Sequence, residues 1–206
     1  MIRRPCRALP AVALALSLCA MGLVLSPSMA AEQKKFVIKP VVEKKLKQLP
    51  AGPLYWQLEN FPTLAQAKAV AGETSLAAEI SGEVWLLTLG PKDSPTHGGR
   101  KVAEIGPIPR ITAPEYLLRI NHASGPPGAK TRIHSHPGSE AFYVLAGRLG
   151  QKTPDGVHYA NAGESMNGHG PGMAMEVFSG GTTDLDQLVM FVVDATKPFS
   201  APAKLK

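Results

Sequence analysis

Cysteine is nearly absent: the 206 residues include two, Cys6 and Cys19, and both fall in the first 30. If that stretch is removed, the remaining chain has neither a disulfide framework nor thiol chemistry. Also missing are an apolar run of the roughly 20 residues needed to span a bilayer and the long amphipathic helices that a parallel α/β fold requires. There is no Gly-x-Ser-x-Gly, no phosphate-cradling glycine loop and no dinucleotide fingerprint, although 168–172 is glycine-dense. An apolar content of 44% excludes disorder throughout and a collagen-like chain.

What is present begins with a leader. Arg3, Arg4 and Arg7 precede an apolar run over 11–25, which is followed by Ser28-Met29-Ala30. Basic, apolar and small-residue regions in that order form a secretory signal peptide cleaved after Ala30, and the apolar run is too short for an anchor. Pro5, Cys6 and Arg7 after the arginine pair do not suit twin-arginine export, and Leu18 before Cys19 does not suit lipid attachment. Cleavage removes three of the 22 basic residues and none of the 16 acidic ones, so the formal charge of +6 drops by half. Nucleic-acid binding thereby loses its main support. The expectation is an exported protein, periplasmic or secreted, with no stable membrane anchor and one hydrophobic core.

Residues 31–62 read as an exposed basic arm, since Lys34, Lys35, Lys39, Lys44, Lys45 and Lys47 accompany few large apolar side chains and Pro40 and Pro50 interrupt them. The region 63–110 opens with a short alanine-rich helix over 63–71, capped by Thr63 and stopped before Gly72. Strand-length runs then recur at 75–80, 83–89, 115–122, 130–136, 141–146, 174–178 and 187–194, separated by turn clusters such as Gly125-Pro126-Pro127-Gly128. This texture predicts an all-β, antiparallel sandwich or barrel with its core over 111–196, accessory strands before it and a tail at 197–206. The run 188–193 is too uniformly apolar for an exposed strand and is expected to be buried on both faces.

The chemistry concentrates between Gly128 and Gly147. Side chains two apart on a strand share a face, so His134 and His136 project together, and Pro137-Gly138-Ser139 turns the chain so that Glu140 closes on the two imidazoles. Two nitrogens and a carboxylate suit a borderline divalent ion and leave positions open. Phe142 and Val144 share the face of Glu140 and would form an apolar wall, Tyr143 faces away, and Arg132 shares the face of His134, where it could hold a substrate carboxylate.

This segment resembles the first motif of the cupins, with Gly128, His134, His136, Glu140 and Gly147 at its fixed positions. The resemblance implies an antiparallel jelly-roll β-barrel holding one divalent transition metal ion (Fe, Mn, Zn, Ni or Cu) at its mouth, and a homodimer as one assembly. It implies strand-end positions for Gly128 and Gly147, where torsions unfavourable to other residues are common. The second motif departs from the family. Gly163 opens it, but placing Gly172 on its later glycine puts Met175 where a fourth ligand, histidine, is usual, and Ser179 replaces asparagine. Four outcomes stay open: His134, His136 and Glu140 alone, Met175 as a thioether ligand favouring a soft ion, His169 from the preceding loop, or a site without metal. Plain core packing is the leading reading of Met175 itself.

The other histidines and the tryptophan carry less. His122 reads as a hydrogen-bonded surface group, His97 and His158 as solvent-facing, and Trp85 as core. Catalytic residues stay unassigned, with Arg132 and His169 as candidates. Two functions compete: a metal-dependent, oxidoreductase-type enzyme acting on a small organic molecule, and a non-catalytic barrel that binds or senses one.

Overall fold

The computed structural model describes residues 35–205, so the leader expected over 1–30 lies outside the described residues. The elements are β1 (Val37–Leu46), β2 (Tyr55–Phe61), α1 (Leu64–Val70), β3 (Ser75–Ile80), β4 (Glu83–Gly90), β5 (Arg100–Ile105), β6 (Tyr116–Gly125), β7 (His134–Ser135), β8 (Gly138–Ala146), β9 (Arg148–Thr153), β10 (Gly156–Asn161), β11 (Ser165–Asn167), β12 (Glu176–Ser179), β13 (Leu185–Asp194) and β14 (Ala201–Pro202).

Three layers result. A five-stranded sheet has the order β1-β6-β13-β8-β11, and a three-stranded sheet has the order β10-β9-β12. The segment leading into β7 extends the second sheet beside β12 through antiparallel bridges at Lys130↔Phe178 and His134↔Met175. From β6 onward the chain steps between the two sheets: β6 in the first, 130–135 in the second, β8 in the first, β9 and β10 in the second, β11 in the first, β12 in the second and β13 in the first. Two antiparallel four-stranded sheets threaded in that sequence form a jelly roll, with β1 added at one edge. The expected fold class is met. A third sheet, β3-β4-β2-β5, covers the outer face of the first.

The strand β13 explains why one apolar run organises all three layers. Leu188, Met190 and Val192 pack into the outer core with Trp56, Leu58 and Leu87, whereas Val189, Phe191 and Val193 turn into the jelly roll with Phe142, Leu149 and Val177. All six residues of 188–193 are buried, as their uniform hydrophobicity requires.

The basic arm is corrected. Residues 37–46 form an edge strand on β6, registered from Val37↔Ser124 to Leu46↔Tyr116 with an irregularity between Pro40 and Val42. Lysines on an exposed edge discourage pairing with further chains, so they mark a strand here rather than a solvated leader. Lys44 is also anchored, donating to the backbone carbonyls of Gly72, Glu73 and Ser75. Residues 55–61 form the strand between β4 and β5, with Trp56 and Leu58 wholly buried. Its alternation was hidden because the opposite face carries Gln57 and Glu59, which are buried too. The Glu59 carboxylate accepts from the backbone N–H groups of His97 and Gly99, with His97 Nδ1 2.9 Å away. His97 is accordingly half-buried, contrary to its expected solvent exposure.

The short helix is found as expected, with the Thr63 hydroxyl accepting from the Gln66 backbone N–H. Trp85 is core, and His122 is hydrogen-bonded to Ser81 and Asp186. The span 130–136 is regular strand only at His134–Ser135. No helix among the described residues is long and apolar enough to cross a membrane.

Candidate functional site

The jelly roll encloses a cavity of about 550 Å³, and His134, His136, Glu140 and Arg132 all line it. Antiparallel pairing fixes the Glu140 end of the wall: Arg119 on β6 opposes Phe191 on β13, which opposes Glu140 on β8. His134 and His136 come from the opposite sheet. Their rings lie edge to face with centroids 4.9 Å apart.

Each imidazole has its Nδ1 occupied by backbone. The Arg132 carbonyl accepts from His134 Nδ1 at 2.8 Å, and the Phe199 carbonyl accepts from His136 Nδ1 at 2.7 Å. A carbonyl only accepts, so the proton sits on Nδ1 and Nε2 is the ring nitrogen left with a lone pair. This is the arrangement by which outer partners orient imidazole ligands. Burial pulls the His136 pKa down to about 4, helped by the charges of His134 and Arg119 and opposed by the Phe199 hydrogen bond.

Glu140 is buried with no Lys or Arg paired to it among the described residues, and that burial pushes its carboxyl up to about 8 against a hydrogen bond from Gln151. The Gln151 amide donates to Glu140 Oε1 at 2.9 Å, and Glu140 Oε2 lies 3.9 Å from His136 Nε2. Gly168 presses on the other side of Glu140, donating its N–H to the Glu140 carbonyl at 3.0 Å, and a Cβ at that glycine would stand 2.6 Å from Glu140 Cγ. Gly128 and Gly147 have φ of +79° and +73°, the left-handed torsions expected of them.

The donor set suits a divalent ion, but the trio is not closed. Among the described residues no three His, Cys, Asp or Glu side chains are grouped to hold one as they stand. The Gln151 amide holds one Glu140 oxygen, and the other stands 3.9 Å from His136 Nε2.

The two alternative fourth ligands are placed differently, Met175 against the Gln151 amide that also bonds Glu140 and His169 in another cavity. Met175 is buried on the strand partner of His134, exchanging both backbone hydrogen bonds with it. Its sulfur lies 3.6 Å from the Gln151 amide nitrogen, so the side chain packs there as core. His169 lines a separate cavity of about 350 Å³ with His158, Tyr159 and Asn167, and burial lowers its pKa. Arg132 is exposed at the rim. Phe142 lines the cavity as the period-two rule required, while Val144 sits buried in the inner core beyond it. Ser179 is buried with its hydroxyl unpaired among the described residues.

The tail is the largest omission of the sequence reading. β14 pairs with β7, Ala201↔Ser135 and Pro202↔His134, and Phe199 packs on His136 and Phe191 with ring centroids 4.8 and 4.9 Å apart. The segment 199–202 thus closes one side of the site. Nothing local announced this, because a two-residue strand and one phenylalanine carry no pattern. Gln151 was missed for a related reason: it stands alone in a polar strand, and only the packing of the second sheet on the first places it beside Glu140.

No family model and no curated protein matches the chain. Solved structures similar to part of it include a cupin-like protein from Thermotoga maritima, 16% identical, covering 43% of this chain and 65% of that one with a TM-score of 0.38. Others are a cupin domain from Bordetella pertussis Tohama I, at 20%, 36% and 80% with a TM-score of 0.32, and oxalate oxidase in complex with the substrate analogue glycolate, at 22%, 41% and 45% with a TM-score of 0.35. The chain spans less than two thirds of the first of these and less than half of the oxalate oxidase. At such identities a likeness concerns fold alone, and the jelly-roll assignment rests on the strand order of this chain. The solved structures similar to part of the chain include cupins, the group that its first motif resembles.

Proposed function

We propose that this chain is an exported metal-binding jelly-roll protein that acts on a small organic molecule as a metal-dependent, oxidoreductase-type enzyme. The observation that carries the reading is the state of the two histidines: both Nδ1 atoms are tied to backbone carbonyls, leaving their Nε2 lone pairs on the wall of a cavity that the buried Glu140 carboxyl also lines, 3.9 Å from His136 Nε2. His134, His136 and Glu140 would hold the ion, which is Fe, Mn, Zn, Ni or Cu by donor chemistry. When bound, it supplies Lewis-acid or one-electron chemistry at an open face.

The chain's own residues do the rest. Gln151 holds one Glu140 oxygen and leaves the other directed to His136. Phe142, Val189 and Phe191 keep the adjoining wall apolar and exclude water, and Arg132 stands exposed at the rim. Protein purified without a histidine tag is expected to carry about one equivalent of metal, lost in the His134→Ala, His136→Ala double variant. Equal metal in both proteins refutes the reading. The exported product is expected to begin at Ala31, which its mass tests. No nucleic-acid partner is proposed, and a homodimer is the assembly to look for by sedimentation.

One observation favours a second reading, a barrel that binds or senses its ligand without converting it. Met175 packs against Gln151 where a fourth metal ligand is usual in the second motif, so the ion would anchor ligand only. Metal-loaded protein that consumes no oxygen and converts nothing across small organic acids, phenols and sugars selects this reading.

A further inference from the structure

The cavity contains polar groups that the metal reading does not use. Gln187 is wholly buried, and neither atom of its carboxamide has a hydrogen-bond partner among the described residues. Asn121, 3% exposed, has an unpaired Oδ1. Both side chains line the cavity.

Register places them at depth. Asn121 opposes Val189, which opposes Phe142, one row in from the Arg119-Phe191-Glu140 row; Gln187 opposes Ala123 and Val144 one row further. Rows on one face of a strand are spaced by about 6.6 Å, so the Gln187 row begins about 13 Å along the strands from Glu140. The surroundings at that depth are Ala123, Val189 and Phe142, all uncharged. The cations that line the cavity are otherwise engaged: Arg119 is paired with Glu43, Lys130, which lies toward the Gln187 end, is paired with Glu176, and Arg132 is exposed at the rim.

A buried carboxamide without partners is costly, because its donor and acceptor have given up water for nothing. Two such groups directed into one cavity are positioned to be satisfied by what enters it. We propose that Gln187 and Asn121 form a recognition floor for the uncharged donor–acceptor edge of an otherwise apolar ligand, a primary carboxamide. The Gln187 amide donates to the ligand carbonyl while its oxygen accepts from the ligand N–H, and Asn121 Oδ1 accepts a second N–H. The apolar body then lies on Phe142 and Val189. This deepens the reading of the cavity as the ligand site and does not depend on the ion.

Three probes of one size separate the chemistry: benzamide, benzoate and ethylbenzene, titrated calorimetrically into wild type, Gln187→Met, Asn121→Leu and the His134→Ala, His136→Ala double variant. Wild type is expected to bind benzamide at least tenfold more tightly than either other probe. Gln187→Met is expected to lose that tenfold preference while binding ethylbenzene at least as well, and Asn121→Leu to lose part of it. The histidine double variant is expected to keep it, so a failed metal reading leaves this result standing. Thermal melting gives an independent readout: Gln187→Met should melt at or above the wild-type temperature, because the carboxamide it replaces is unpaired. Three results overturn the proposal: benzoate or ethylbenzene preferred by wild type, no saturable benzamide binding, or a Gln187→Met protein that melts markedly lower while binding benzamide unchanged.

Discussion

Glu140 is the residue at which the metal reading is most exposed to test. Its carboxyl, raised to about 8 by burial, holds a proton that the unfolded chain releases near its ordinary value of 4.5. The folded state therefore binds more protons across that window, and this group makes stability fall as pH rises through it. His136 works the other way: with its pKa lowered to about 4, it favours the folded state as pH rises from there to 6.5. Above pH 6.5 only the Glu140 effect remains. Chelator-treated protein is expected to lose stability to urea between pH 6.5 and 8, and Glu140→Gln to remove that loss and be about 1–3 kcal/mol more stable at pH 8. The same variant should show no thermal stabilisation by added metal. Parallel pH profiles for wild type and Glu140→Gln would defeat this account. Gly168→Ala tests the packing behind the carboxyl group: its methyl group meets both Cγ and the backbone carbonyl of Glu140, and a drop in metal affinity together with a lower melting temperature is the expected result.

At the scale of elements, the C-terminal segment and β1 join the jelly roll from outside its strand order. Phe199 contributes two separable things to the site, a ring on His136 and a carbonyl that accepts from its Nδ1. Phe199→Ala removes the ring and keeps the carbonyl, so it is expected to cost about 1–3 kcal/mol of stability with little change in metal affinity. Truncation after residue 198 removes both, and a 10- to 100-fold weaker metal affinity is expected, read by competition with a chelating dye. Equal affinities for the two proteins would show that the carbonyl does not orient His136. The strand β1 adds the Arg119–Glu43 ion pair to one side of the cavity, with Arg119 also lying 4.2 Å over the Phe199 ring.

For the whole molecule, the shared strand β13 predicts cooperativity between layers. Leu188 faces the outer core and Phe191 the inner one, so neither sheet pair can separate without exposing a face of β13. Leu188→Ala is expected to cost about 2–5 kcal/mol. Trp56 and Trp85, both in the outer core, should report the same denaturation midpoint as far-ultraviolet circular dichroism, which follows all strands. A tryptophan transition preceding the dichroism change would show that the covering sheet unfolds alone.

The sequence by itself determined what local spacing determines. His134 and His136 two apart and the left-handed glycines at 128 and 147 are properties of one short segment, and the doubly buried run 188–193 is a property of its composition. These were legible because period-two geometry and turn torsions act within a few residues, whereas the turn expected over 137–139 is strand from Gly138 onward, paired to β13. Tertiary structure alone decided the rest: that lysine-rich 37–46 is an edge strand, that Gln57 and Glu59 are buried, that Gln151 takes one oxygen of Glu140, that Phe199 orients His136 and that Gln187 stands unpaired in the cavity. Each of these depends on strands distant in the chain coming into register. A polar residue in a strand reads as solvent-facing until the pairing of that strand shows which sheet covers it.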